Sequence, residues 1–401
     1  MALGDFKQDY ILRYQDILMK TMVSMKIANT RFQSNMKFGD TVVRTILDLS
    51  AVRVRTFTNL VDQTVDAITD SEQTMTINVQ VGAVFPIARL EKIQAGPLNP
   101  AMTAGKEIAI KVANYLDATV LAETQNAFAN FDTGNLTTAA ANGTAITLSS
   151  TTVPQMVAQT HAKLFSNNAP MTNVCWVLDP FSLSQIAQFP IGKDITNENT
   201  IFKNGFSGNL FGAEVYVSNN LTGEAVLSIA TTPTDGDTIV IGGVTFTFKT
   251  TLGSTAGNIA IGGSADAARL NLSELINAPG TTDAGQVALS AADQITIADT
   301  LRLTATDSAS ANTMTIIGIG SSRLTLSETL TDATDAWTAN FVHCYYGQKG
   351  AIDVAVQDQP EMEMREEPKQ LTTNIFNNVV AAVKTFSDGA NYFLDVMIKN
   401  A

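Results

Sequence analysis

The chain has 401 residues, of which 45% are hydrophobic and 16% charged, with a formal net charge of -13. This composition folds rather than staying disordered, and so little charge leaves a surface that is largely neutral or covered by partners. An acidic balance excludes a dedicated nucleic-acid binder, which needs clustered Lys and Arg against phosphate, but not a wall that merely encloses nucleic acid.

The length allows roughly two or three domains. In the opening "MALGDFKQDYILRYQDILMK", Asp5, Lys7, Asp9 and Arg13 interrupt any apolar core, so no signal peptide is expected. No later apolar run reaches the length of about 20 residues that a membrane span needs. Cys175 and Cys344 are too few for a disulfide or metal framework and read as buried thiols in a reducing compartment, where "NLT" at Asn135 and Asn220 carries no glycosylation meaning.

Between residues 7 and 27, Ile11, Tyr14, Ile17, Leu18, Met22 and Met25 fall at three- and four-residue steps. That spacing predicts a helical arm with one apolar stripe, in need of a partner surface. Lys20, Lys26, Arg31, Lys37, Arg44, Arg53 and Arg55 recur here in an otherwise acidic chain, either as a solvated face or as contacts with acidic neighbours or DNA. The alternating, β-branched stretches "FGDTVVRTILDLSAVRVRTFTN" and "TMTINVQVGAVFPIARLEKIQ" predict long strands, joined by the acidic, turn-prone "VDQTVDAITDSEQ" into a protruding hairpin. After "GPLNP", the Ala-rich "AMTAGKEIAIKVANYLDATVLAETQNAFANF" predicts the longest helix, stopped by "DTGN". Residues 132–153 read as a loop with one short strand. A helix at "TVPQMVAQTHAKLF" follows, then a buried strand, Pro turn and short helix at "TNVCWVLDPFSLSQIAQF", and a turn and strand at "GNLFGAEVYVSNNL".

Near residue 228 the composition shifts. Between Thr231 and Trp337 the basic residues are Lys249, Arg269, Arg302 and Arg323 alone, and Phe246 and Phe248 are the aromatics before Trp337. This marks an inserted, mainly β domain: a hairpin "TIVIGGVTFTF" turning on Gly242-Gly243, a strand "NIAIGG", one helix "SADAARLNLSELINA" with Ala268, Leu272, Leu275 and Ile276 on its buried face, then strands at "QVALS", "QITIA", "LRLTA", "TMTIIGI" and "RLTLSE". After Trp337 the mixed α+β character returns with "FVHCYYGQKGAIDVAVQ", the alternating "EMEMREE" and "VVAAVKTFSDGANYFLDVMIKN", so the segments flanking the insert are expected to close up as one fold.

Catalytic chemistry finds little footing. His161 and His343 adjoin no Ser or carboxylate motif and read as packing or surface residues; His343 and Cys344 would point to opposite faces of a strand. "GIGSS" at Gly318 precedes a strand rather than a helix, and "TDGD" at Thr234 lacks the further ligands of a calcium loop, so both read as turns. The expectation is a chain that is not an enzyme, without cofactor or metal.

Taken in order, "GDTVVRTIL", the acidic hairpin, "TMTINVQVGAVFPIARLEKIQ", "ANYLDATVLAE", "CWVLDPFSLSQI", "GNLFGAEVYVSNNL" and "GQKGAIDVAVQ" resemble the major capsid proteins of tailed bacteriophages with the HK97-type fold, within them the P22-like coat proteins. The resemblance implies residues 1–45 as an N-terminal arm packed through Ile11, Tyr14, Ile17, Leu18 and Met22, and 46–98 as the E-loop and flanking strands. It further implies 99–225 as the peripheral domain with its spine helix and the first part of the axial domain, 226–339 as the insertion domain, and 340–401 as the return to the axial and peripheral domains. Arg53, Arg55, Asp62, Asp66, Asp70 and Glu72 are then candidates for intersubunit ion pairs. The implied function is self-assembly into hexamers and pentamers of an icosahedral shell around double-stranded DNA, in a virion built in the host cytoplasm. The implied partners are further copies of the chain, a separate scaffolding protein, a portal, loosely contacted DNA and a decoration protein. An encapsulin-type compartment and an extracellular β-rich surface or adhesion protein are the alternatives.

Overall fold

A computed structural model describes residues 22–32, 41–48, 52–56, 59, 65–88, 100–136, 143–170, 172–188, 206–210, 212–367 and 372–400. Ile11, Tyr14, Ile17, Leu18 and Asp62 lie outside these residues. In chain order the elements are α1 (Ser24–Ile27), β1 (Thr41–Asp48), β2 (Thr69–Thr76), β3 (Val79–Ala88), α2 (Pro100–Ala122), β4 (Asn130–Phe131), α3 (Thr152–Ser166), β5 (Val174–Leu178), α4 (Pro180–Ile186), β6 (Phe206–Leu210), β7 (Ala213–Val217) and β8 (Gly223–Ser228). There follow β9 (Thr238–Ile241), β10 (Val244–Lys249), β11 (Asn258–Ala260), α5 (Ala265–Asn277), α6 (Ala291–Gln294), β12 (Leu303–Ser308), β13 (Thr313–Gly318), β14 (Leu326–Glu328), β15 (Ala336–Gln348), β16 (Asp353–Glu367), β17 (Thr372–Lys384), α7 (Ser387–Ala390) and β18 (Phe393–Lys399). Helices and strands alternate irregularly, as an α+β chain requires.

The described residues fall into two compact units, the first drawn from the stretches 28–112 and 350–390 and the second from 22–27, 113–349 and 391–400. In the first unit, β16, β17 and β3 form an antiparallel sheet and β1 and β2 an antiparallel hairpin. The acidic stretch expected to turn is partly strand: β2 begins at Thr69, placing Asp70 opposite Leu47 and Glu72 opposite Thr45. Pairing with β1 overrides the low strand preference of these acids. The long strand expected over residues 74–94 is interrupted at Ile77–Asn78, where the chain leaves β1 for β17. Asn78 makes the break by bonding the backbone of Val383, its Nδ2 donating to the carbonyl at 2.9 Å and its Oδ1 accepting the N–H at 3.0 Å.

The second unit is built on a nine-stranded sheet whose central member is β15. Because residues 341 and 342 pair with both β8 and β18, and residues 345–347 with both β5 and β18, β8 and β5 follow one another along one edge of β15 while β18 takes the other. Helix α2 ends at Ala122, nine residues short of the expected end at Phe131. A 3-10 turn at Glu123–Asn126 redirects the chain so that fully buried Phe131 lies parallel to Val396 of β18. Helix α4 starts where Asp179 accepts hydrogen bonds from the N–H groups of Phe181 and Ser182, both at 3.2 Å, with Pro180 at its first position.

The segment of shifted composition carries a four-stranded sheet, β11-β10-β9-β14, whose hairpin turns on Gly242 and Gly243 at φ +60° and +86°. Ile239, Ile241, Phe246 and Phe248 meet Leu272, Leu275 and Ile276 of α5 in one buried cluster. Helix α5 is capped by Ser264, whose hydroxyl accepts from Ala267 N–H at 3.2 Å. Its strands β12 and β13 do not close on this small sheet: they continue the nine-stranded one through β8. The expected strand at "QITIA" is instead a π-helical turn, Ile295–Thr300, carried on from α6, which Ser290 caps. Local β-preference yields there to the helix already started. "QVALS" contributes one isolated bridge, Gln286 to Ile259, rather than a strand, and the "RLTLSE" strand shortens to Leu326–Glu328.

Candidate functional site

The hairpin of the first unit has a buried base and an exposed outer part. At the base, Val42 and Met75 are buried with Ala355, Ala382 and Phe386, and Phe32, Ile46 and Ile77 pack against them. Polar bonds reinforce this contact. Arg44 donates two guanidinium N–H groups to Asp388, one at 2.8 Å, and lies 5.1 Å above the Phe386 ring, while Lys384 donates to the Thr74 carbonyl at 2.6 Å. Strand alternation that turns Val42 and Ile46 inward turns Val43 and Leu47 outward. Farther along, Val52, Val54, Val65 and Ile68 are exposed, Val54 fully so. Six of the eleven large hydrophobics exposed among the described residues thus fall on this hairpin, which makes it the candidate contact surface, whereas scattered single residues need no explanation.

The candidate charges separate into two sets. Asp66 ties the two sides of the outer hairpin together, accepting the Arg53 backbone N–H at 2.9 Å and pairing with the Arg55 guanidinium at 2.5 Å. Arg55 and Asp66 thus find each other within one chain. Asp70 and Glu72 are exposed on β2, and no ion pair joins either to another of the described residues. The Arg53 side chain is exposed as well. Of the arm's stripe, Met22 is described and buried. Beside it, α1 is fastened through the buried Asp117 of α2, which accepts Ser24 N–H at 2.7 Å, Ser218 Oγ–H at 2.9 Å and Asn220 Nδ2–H at 3.0 Å.

The second unit holds a buried charge cluster that sequence reading missed. His343 does not serve as a mere packing or surface residue: its Nδ1 lies 2.7 Å from Asp395 and its Nε2 3.1 Å from Glu224. Burial pushes the imidazole toward neutrality, but Asp395, by charge and hydrogen bond, and Glu224 outweigh it and raise the pKa to about 9. Burial also raises the Asp395 carboxyl, against the pull of His343. These carboxylates stand 119 and 52 residues from His343 in sequence, so no local motif announced them. Both cysteines are buried and free, and burial pushes the Cys175 thiol up to about 12, which keeps it an inert hydrophobe. Among the described residues no group of three or more His, Cys, Asp or Glu is placed to hold a metal ion, and no helix is long and apolar enough to cross a membrane.

No protein-family model matches the chain, and no curated protein does. Among solved structures it is similar to a chain of Mycobacterium phage Che8, at 13% identity and a TM-score of 0.48, over 93% of this chain and 90% of that one. It is also similar to the capsid of the Cyanophage P-SCSP1u, at 10% identity and 0.49, over 95% and 89%. A third is the asymmetric unit of the bacteriophage PhiM1 mature capsid, at 9% identity and 0.48, over 95% and 88%.

Proposed function

We propose that this chain is the major capsid protein of a tailed bacteriophage, an HK97-type subunit closest to the P22-like coat proteins. Many copies assemble as hexamers and pentamers into an icosahedral shell around double-stranded DNA. The observation that carries this reading is the hairpin: its base is buried and ion-paired within the subunit on one face, while the other face of β1 exposes Val43 and Leu47 and the outer part exposes Val52, Val54, Val65 and Ile68. A two-stranded ribbon with so little local core is not stable alone in water, and it orders by lying across another copy.

Within this reading, residues 1–45 are the arm, 46–98 the E-loop with its flanking strands, and 226–339 an insertion domain. Residues 99–225 and 340–401 form the peripheral and axial domains. Exposed Asp70, Glu72 and Arg53 remain for contacts between subunits, each contributing about 0–1 kcal/mol if solvated. Contacts this weak permit correction of errors during assembly. The net charge of -13 suits a wall that must not hold its DNA tightly. Scaffolding, portal and decoration proteins are the partners such a shell recruits.

The test is sedimentation and negative-stain microscopy of the purified chain, alone and with a candidate scaffolding protein. Closed shells, or pentamers and hexamers that close when scaffold is added, support the reading. A monomer under both conditions overturns it.

A further inference from the structure

The sheet of the first unit ends in an open edge. Among the described residues β16 pairs with β17 alone, apart from the one-residue bridge between Asp353 and Asn29. Two register shifts interrupt it between Val356 and Glu361, and beyond them Glu361–Glu367 runs in regular register against Asn378–Thr372. Bulges and Pro360 blunt the earlier part of the edge, whereas a regular unpaired stretch is a template for another strand.

Which groups this edge offers follows from β17. Val383 gives both its N–H and its carbonyl to the side chain of Asn78, the residue before β3, so odd-numbered residues of β17 face β3 and even-numbered ones face β16. Pro86 of β3, which has no N–H to give, stands opposite Asn374 and fits that alternation. Asn378, Phe376 and Asn374 therefore hold the backbone of Glu361, Glu363 and Arg365, and the N–H and carbonyl groups of Met362, Met364 and Glu366 point outward.

The outer hairpin carries the complement. Val52-Arg53-Val54-Arg55 alternates as Glu361-Met362-Glu363-Met364 does, with the opposite charge. Val52, Val54 and the Arg53 side chain are exposed, while Arg55 is already paired with Asp66. The Arg53 N–H donates to Asp66 across the hairpin at 2.9 Å, so in an extended chain Val52 and Val54 turn their N–H and carbonyl groups the other way.

We propose that residues 52–55 of one copy add, as an antiparallel strand, to the edge of β16 at residues 361–364 of a second copy. One register satisfies backbone and charge together: Val52 and Val54 exchange backbone bonds with Met364 and Met362, which sets Arg53 opposite Glu363 and Arg55 opposite Glu361. A shift of two residues puts Val54 opposite Pro360 in one direction and Arg53 opposite Arg365 in the other. The glutamates disfavour the meeting of two β16 edges and select a basic strand. The inference rests on the reading of the hairpin as a contact between copies, and it names what the hairpin meets.

Disulfide trapping tests it. In this register Arg53 and Glu363 form a non-hydrogen-bonded pair with Cα atoms about 4.5 Å apart, within reach of a disulfide. Chains carrying Arg53→Cys and chains carrying Glu363→Cys are mixed, assembled under the conditions that close native shells and oxidised mildly. The expected result is a covalent dimer on a non-reducing gel, absent from either variant alone, since Cys175 and Cys344 are buried. In a second arm, Arg53→Glu and Glu363→Arg, each folded by circular dichroism, lower shell yield about tenfold, and the double variant restores it because every copy then presents both changes. A native chain that closes shells while the mixed variants give no dimer, or a double variant no better than the single ones, overturns the strand pairing and leaves the capsid reading standing. A native chain that stays monomeric with scaffold overturns both.

Discussion

Nδ1 of His343 lies 2.7 Å from Oδ2 of Asp395 and joins β15 to β18, while Nε2 reaches Glu224 of β8 at 3.1 Å. One imidazolium thus links three strands of the nine-stranded sheet. Its pKa, raised to about 9 from an ordinary 6.5, fixes the sign of its contribution. The stabilisation is full below the unfolded value and is lost as pH rises from 6.5 through 9. His343→Gln removes the charge but leaves two carboxylates facing one another, one of them buried, at a cost of about 3–5 kcal/mol near neutral pH. Melting temperature recorded from pH 6 to pH 10 checks this: the native chain loses stability across the window and His343→Gln shows a flatter profile. A native profile flat to pH 10 would mean that His343 is neutral in the fold.

Arg269 is a fully buried arginine that fastens α5 to β12 and to the residue that follows β8. It donates to Asp307 of β12 at 2.8 Å, to the Ile229 carbonyl and to Asp266 of its own helix. Arg269→Ala leaves Asp307 and the Ile229 carbonyl without these donors as well as opening a cavity, and costs about 3–5 kcal/mol. A urea titration reads this as a lower midpoint. An unchanged midpoint would show that water replaces the guanidinium at no cost.

His343 and Arg269 also mark where the sequence stops being readable. The α5 face of Ala268, Leu272, Leu275 and Ile276 follows from helical spacing, and all four are buried. The Gly242-Gly243 turn follows from the backbone angles only glycine adopts freely, and both sit at positive φ. Such features are local. The partners of His343 are not, nor is the end of α2, since no helix breaker in "ETQNAFAN" announces the stop and Phe131 just after it pairs beside the sequence-distant Val396. The π-helical turn at Ile295 fails for a related reason, since alternation in "QITIA" cannot reveal a helix already begun at Ser290. For the hairpin, alternation indicated strands and acidity indicated a turn; Asp70 and Glu72 are strand residues because β1 lies beside them.

The two turn glycines are expected to differ in cost. A Cβ at Gly243 meets nothing within 4 Å, so Gly243→Ala bears only the left-handed backbone, about 1–2 kcal/mol. A Cβ at Gly242 falls 2.2 Å from Leu301 Cδ1, and Leu301 packs against the buried cluster. Gly242→Ala therefore adds displacement of that side chain to the same backbone strain. Thermal denaturation of the two variants side by side should place Gly242→Ala below Gly243→Ala, and the reverse order would show that Leu301 moves freely.

Val54 and Ile68 separate folding from assembly. Both are exposed on the outer hairpin, away from the buried base formed by Val42, Met75 and Phe386. Val54→Asp and Ile68→Asp therefore remove no contact of the buried base, and each should change stability by no more than about 0.5 kcal/mol, as surface substitutions do. If the hairpin lies across a neighbouring copy, the same changes put an unpaired carboxylate into a desolvated apolar contact, which costs several kcal/mol and recurs at every subunit. Val42→Asp is the contrasting control, because it buries the charge within the subunit and destabilises the fold itself. Sedimentation and microscopy should then find Val54→Asp and Ile68→Asp soluble and folded by circular dichroism but unable to close shells, with Val42→Asp misfolded. Shells formed normally by both outer variants would remove the hairpin from the assembly contact and leave its exposed valines without a role.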